Sequence, residues 1–172
     1  RRAAAAAVAP NPAHHALARL SHAAGVTLIT QNVDALLDRA GAQDVIHMHG
    51  RLDSALCAAC GHRWPAPDTM PVGMPYPRCG KPEARPDIVW FGEMPYHMDR
   101  IEAALDQADL FAAIGTSGQV YPAAGFVDVA RMVGAATVEL NLEPTAPGRF
   151  DEVLTGPASR IVPAWVDSLT AS

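Results

Sequence analysis

The sequence predicts a doubly wound α/β domain, a parallel sheet with helices on both faces, carrying a small cysteine-containing insertion. Three observations lead there. Short β-branched apolar runs alternate with helical segments, the pattern of βαβ units. Polar residues cluster directly after four of the runs, where open α/β sheets bind their ligands. Residues 51–86 break the alternation with Cys, Pro and Gly and no long periodicity.

The elements follow in order. "RRAAAAAVAP" (1–10) reads as the end of an Ala-rich helix. It lacks the cleavage pattern of a signal peptide after its short apolar part. "NPAHHALARLSHAAG" (11–25) offers Asn11 as N-cap, Pro12 at the first helical position and Gly25 as C-cap. Ala13, Leu17, Leu20 and Ala24 share its apolar face. "VTLIT" (26–30) is a buried strand, "VDALLDRAG" (33–41) a helix closed by Gly41, and "DVIHMH" (44–49) a second strand. Regular structure resumes with "DIVWF" (87–91), a helix over 98–107, and "ADLFAAIGTS" (108–117) as a strand running into a Gly/Thr/Ser loop. A helix over about 122–134, the strand "ATVELN" (136–141), the apolar stretch "SRIVP" (159–163) and a terminal helix "AWVDSLT" complete the chain. The division is thus 1–50 and 87–172 for the α/β domain, with 51–86 as a loop-built insertion that needs a staple.

Composition narrows the partners. The 172 residues are 49% apolar with a net charge of −5. No Lys/Arg block beyond Arg1–Arg2 exists to neutralise phosphates, which argues against nucleic acid. No apolar run is long enough to span a bilayer, so no membrane partner is expected. Three cysteines with a C-x-x-C spacing suit a reducing compartment and a metal better than a disulfide framework, so a cytoplasmic location is expected.

Four polar clusters fall at expected strand ends: "TQNVD" (30–34), "HMHG" (47–50), "GTSG" (115–118) and "NLE" (141–143). Taken alone, "GTSG" is either a tight turn or a place where phosphate or ribose approaches backbone N–H groups. "NLE" is either a capped loop or, through Glu143, a ribose-diol contact. His47 and His49 stand just ahead of Cys57-x-x-Cys60, and the residues alone do not say which histidine reacts or whether either joins the metal.

Together the clusters resemble the sirtuins, NAD-dependent protein-lysine deacylases, and among them the bacterial class III members. The matching stretches are "TQNVDALLDRAG", "VIHMHG", "CAACG", "RPDIVWFGE", "AIGTSGQVYPAAG", "VELNLEP" and "GPAS", in the family's order and over nearly the whole chain from residue 10. The resemblance implies a Rossmann-like fold and makes His49, the histidine of the H-G pair, the general base. An unperturbed imidazole titrates near neutrality, which suits it to take a proton from a ribose hydroxyl. His47 then packs or hydrogen-bonds, and His14, His15, His22, His62 and His97 are surface or structural.

The resemblance further implies that the acyl-lysine oxygen attacks the nicotinamide-bearing ribose carbon of NAD. Products would be free lysine, nicotinamide and 2′-O-acyl-ADP-ribose. Gln31, Asn32, Val33 and Asp34 match the nicotinamide-ribose side. Gly115, Thr116, Ser117, Asn141, Leu142, Glu143 and Ala158 match the adenosine side. The peptide substrate would bind as an added strand between Phe91-Gly92-Glu93 and a segment containing Val120 and Tyr121, with Trp90 and Phe91 walling the acyl-lysine tunnel. Arg1 matches the arginine that pairs with a succinyl or malonyl carboxylate.

Two departures stand out. The family's structural zinc uses two Cys pairs, but here Cys57 and Cys60 form a pair and Cys79 is alone, with Tyr76 three residues before it and Pro82 three after. His62 or a water is the expected completion of a zinc shell. The family's first strand and its "GAG-x-S" phosphate loop are also missing from residues 1–172, which begin without Met, so the chain reads as N-terminally incomplete. That leaves two rivals beside an enzyme: a catalytically silent remnant that only binds peptide, and a cysteine-stapled interaction module.

Overall fold

The structure, a computed structural model, describes residues 2–145 and 147–170. Its elements are α1 (Arg2–Ala7), α2 (Pro12–Leu20), β1 (Ile29–Thr30), α3 (Leu36–Arg39), β2 (Ile46–His47), β3 (Gly50–Cys57), β4 (Arg63–Pro65) and β5 (Ala84–Ile88). Then follow α4 (Met98–Asp106), β6 (Leu110–Ile114), a short 3-10 turn over 123–125, α5 (Phe126–Met132), β7 (Ala136–Asn141), β8 (Glu152–Thr155) and α6 (Ala158–Thr170).

Helix α2 starts where its sequence demands. The Asn11 side chain accepts from the N–H groups of Ala13 (2.9 Å) and His14 (3.3 Å), and His14 Nδ1 accepts from Asn11 N–H (3.1 Å). Two of the four orphan donors are thereby satisfied, and Pro12 offers none. The helix stops at Ser21, short of Gly25, because Ser21 turns its Oγ–H back onto Ala18 O (2.7 Å).

Two parallel arrangements carry the α/β part. β1 pairs with β2, Ile29 opposite Ile46 and Thr30 opposite His47. β7 lies between β6 and β8, parallel to both. The helices cover both faces, as a doubly wound sheet requires. On one face α4 and α5 bury Ile101, Leu105, Phe126 and Ala130 with Ile46 and Met48. On the other, α2 and α6 bury Ala13, Ala16, Val162 and Val166 with Val138 and Leu140 of β7. Among the described residues β1 pairs only with β2 and β6 only with β7, so each shows one unpaired edge.

The segment expected to be loop-built is an antiparallel sheet, β4-β3-β5. β3 runs eight residues with Ala55 and Cys57 buried, and its ladder to β5 shifts between Arg51 and Ala55. Apolar content is too low for the period to show in sequence, since small residues take the inward places. β5 begins at Ala84, not Asp87. The stretch 159–163 belongs to α6, which carries Pro163 inside it, and the strand that closes the sheet is 152–155. Val153 and Leu154 supply that strand its apolar pair, while the β-branched 161–162 pair packs its helix onto β7.

One glycine sets the joint between the two sheets. Gly50 has φ +80°, and a Cβ there would collide with the carbonyl oxygen of Asp87 and lie 2.9 Å from Ile88 Cα. Gly50→Ala should therefore cost more than about 2 kcal/mol in denaturant unfolding, because both the backbone region and the space are refused. Gly25→Ala, at the same φ but with open space around it, is the control and should cost about 1 kcal/mol or less.

Candidate active site

Four strand ends converge through one run of hydrogen bonds. β2 ends at His47, and the turn that follows carries His49. His49 Nδ1 lies 3.0 Å from the backbone oxygen of Gln31, just past β1. A carbonyl only accepts, so Nδ1 carries the proton and Nε2 keeps a free lone pair. His49 O accepts from Val89 N–H (2.9 Å), which ties the ring-bearing turn to the end of β5. The Gln31 side chain donates to Thr116 Oγ1 (3.3 Å), past the end of β6. Asn141, the last residue of β7, donates through Nδ2 to Thr116 O (2.8 Å) and to Glu139 Oε1 (3.3 Å). Glu139 is fully buried and also accepts from Thr145 N–H at 3.0 Å.

Each residue named from sequence has a definite place. Val33 O accepts from Leu52 N–H (2.8 Å), and Asp34 Oδ1 caps the α3 turn by accepting from Leu36 N–H (3.0 Å). Asn32 is exposed, its N–H donating to Thr30 Oγ1. Gly115 closes the ladder to Leu140 O (2.9 Å), with φ +61° and open space where a Cβ would stand. Ser117 and Glu143 are exposed, Leu142 is exposed, and Ala158 opens α6. Arg1 lies outside the described residues. Its neighbour Arg2 is held in α1 by the carbonyls of Leu52 and Pro67.

His47 does a different job from His49. It is buried, with Nε2 at 3.0 Å from Asp38 Oδ2, and Arg51 binds the other oxygen of that carboxylate at 2.6 Å. It joins α3 to β3 and has no part in the strand-end run. Near β5, Glu93 takes a bidentate pair from Arg85 (2.6 and 2.9 Å) and the N–H of Trp90 (3.0 Å). The Arg85 hydrogen bonds, and next the Trp90 N–H, pull the Glu93 carboxyl down to about 2. This clasp closes the turn on which Trp90 and Phe91 stand, Phe91 fully exposed. Val120 and Tyr121 are likewise exposed, in a turn closed by Ala124 N–H to Val120 O (2.8 Å).

Sequence reasoning missed Glu139. A charged residue in "ATVELN" reads as solvent-facing, yet it is the buried anchor under Asn141 and Thr145. The only available signal was that three polar residues share one face of the strand, 137, 139 and 141.

The three cysteines come together. Their sulfurs lie within 4.8 Å of one another, and Cys57 Sγ to Cys79 Sγ is 3.6 Å. Zn–S bonds of 2.3 Å in tetrahedral array set sulfurs about 3.8 Å apart, so the trio fits zinc. His62 does not join it; its ring stacks on Tyr76 instead, centroids 5.2 Å apart.

Comparison with known proteins agrees with this geometry. The Sir2 family model matches residues 1–122. The NAD-dependent protein deacylase of Caulobacter vibrioides is 51% identical over 99% of this chain and 75% of its own length. A crystal structure of a Sir2 homolog–NAD complex superimposes with a TM-score of 0.86, at 34% identity over 97% of this chain and 67% of that one. A Sir2 protein bound to a myristoylated histone peptide gives 0.78, at 30% identity over 95% and 73%. The fold, taken with these relatives, is that of a Rossmann-like, NAD-dependent enzyme. This chain belongs to the Sir2 family.

The Glu93 clasp gives a pH prediction. A carboxyl whose folded pKa lies below its unfolded value stabilises fully above the unfolded value and loses that contribution as pH falls through the folded one. The turn at 90–93 should therefore stay closed at pH 4 and open only as pH nears 2. Side-chain carboxyl NMR of Glu93 should show a midpoint near 2 that returns toward the ordinary range in Arg85→Ala.

Proposed function

We propose that this chain is the larger part of an NAD-dependent protein-lysine deacylase, with His49 as its base. The observation that carries the reading is the hydrogen-bonded run from His49 through Gln31 and Thr116 to Asn141, which joins four strand ends into one polar site. Relatives of the Sir2 family named as NAD-dependent protein deacylases, and family structures holding NAD or an acylated peptide, support the substrate classes.

NAD, when bound, supplies an electrophilic ribose carbon with nicotinamide as its leaving group. Gln31, Asn32, Val33 and Asp34 would hold the nicotinamide-ribose end, on the turn between β1 and α3. Gly115, Thr116, Ser117, Asn141, Leu142, Glu143 and Ala158 would line the adenosine end. The open backbone at Gly115 fits a ribose or phosphate approaching there. The Nε2 of His49 takes the proton of a ribose hydroxyl, with the Gln31 carbonyl steadying the positive ring that results. With one water consumed, acyl-lysine and NAD would give the free lysine, nicotinamide and 2′-O-acyl-ADP-ribose. Acyl-lysine peptide lies as a strand between Phe91-Gly92-Glu93 and the Val120–Tyr121 turn, both exposed, and Arg1 selects for succinyl or malonyl groups.

Zinc, held by Cys57, Cys60 and Cys79, is structural. It would join Cys57, at the end of β3, to Cys79 in the turn that precedes β5, and takes no part in proton transfer. The division into 1–50 and 87–172 around 51–86 belongs to the same reading, as does a cytoplasmic setting. No helix among the described residues is long and apolar enough to cross a membrane.

The test is kinetic. In the whole protein, His49→Ala should lower kcat/KM on acetyl- and succinyl-lysine peptides by about two to four decades with an unchanged unfolding midpoint. His47→Ala should retain most turnover but unfold more easily, since it strips the Asp38–Arg51 group of a partner. A dead His47→Ala beside an active His49→Ala would overturn the assignment.

A further inference from the structure

The two turns that carry the cysteines have the same backbone. In the first, Cys57 N–H donates to His62 O (2.9 Å), Gly61 N–H donates to Cys57 O (2.8 Å), and Gly61 has φ +70°. In the second, Tyr76 N–H donates to Lys81 O (2.9 Å), Gly80 N–H donates to Tyr76 O (2.8 Å), and Gly80 has φ +69°. Position for position, 57 matches 76, 60 matches 79, 61 matches 80 and 62 matches 81. The cradle therefore has four ligand positions, filled by Cys57, Cys60, Cys79 and Tyr76.

Tyr76 does not supply the fourth donor. Its ring is buried against Trp64 (centroids 4.6 Å apart) and His62 (5.2 Å), and among the described residues its hydroxyl has no hydrogen-bond partner. The same stack occupies the His62 ring. Cys60 and Cys79 are exposed, so the side of the trio they form faces water.

We propose that this site binds a zinc-class ion through three thiolates and keeps its fourth coordination position open to a small soft ligand from solution, a thiol in preference to water. A thiol entering the site gives its proton to solvent and displaces one water, so charge and ligands balance. A closed structural site has four protein ligands, whereas an open one exchanges its fourth. The metal here should accordingly be held less tenaciously than in a four-thiolate site.

Cobalt(II) titration of the full chain, reduced with a phosphine that does not compete as a thiol, reads this directly. The expected spectrum is tetrahedral. Its thiolate-to-metal absorption should rise by about one third when 2-mercaptoethanol saturates the site, one thiolate being added to three. Tyr76→Cys should start at the higher intensity, ignore added thiol, and release zinc to a chromophoric chelator about tenfold more slowly than the parent chain. Tyr76→Phe should match the parent spectrum, because the phenol is no ligand. The proposal fails if the parent spectrum does not respond to thiol, if Tyr76→Phe alters it, or if the folded chain takes up no cobalt. Should Tyr76→Cys not fold, the parent titration and Tyr76→Phe decide alone. None of these readings depends on deacylation.

Discussion

One hydrogen bond, His49 Nδ1–H to the carbonyl oxygen of Gln31, settles what the ring can do. It spends one nitrogen on the backbone of a neighbouring strand end and leaves the other free to accept a proton. The backbone on either side is equally constrained. His49 O receives the Val89 N–H, and Gly50 lets the chain pass against Asp87 where no other residue fits. The His49 ring is therefore aimed by three strands at once, β1, β2 and β5, without any side chain needing to be long or mobile.

The other half of the site depends on a buried carboxyl group. Glu139 loses its water on folding, a cost that hydrogen bonds must offset. It receives them from Thr145 N–H and Asn141 Nδ2, and Asn141 in turn holds Thr116 O. The loop after β6 and the loop after β7 are thus braced against one carboxylate. A similar device stands at the other end of β7, where Asp151 accepts from both the N–H and the hydroxyl of Thr137 at 2.8 Å. Those two bonds hold the Asp151 carboxyl below its ordinary range. The central strand is pinned at each end by an acid, and the loops after β6 and β7 inherit that rigidity.

Much of this was legible in the sequence because it rests on local chemistry. Asn11-Pro12 announces a helix start, the βαβ alternation announces the parallel sheet, and the family resemblance, not the residues alone, gave His47 a packing or hydrogen-bonding role, which its pairing with Asp38 matches. The cysteine trio was also readable, being three sulfurs on two turns. What escaped notice depends on contacts between distant segments. The β3 strand hides because Ala55 and Cys57, its buried residues, are too small to mark a period. Residues 161–162 are β-branched and precede a proline, yet burial against β7 wins over propensity and makes them helix. Glu139 is charged, and only its pairing with Thr145 and Asn141 makes burial affordable. Tyr76 could be seen as a departure from a Cys pattern, but not where its ring would go.

The central claim is that His49 presents Nε2 as the base because Gln31 holds Nδ1–H. Nitrogen-15 NMR of the imidazole, in protein labelled at histidine and assigned with His49→Ala, measures this without substrate or cofactor. For the neutral ring the account predicts a protonated Nδ1 and an unprotonated, pyridine-like Nε2. A His49 ring carrying its proton on Nε2, or averaging equally between the two nitrogens, would contradict it.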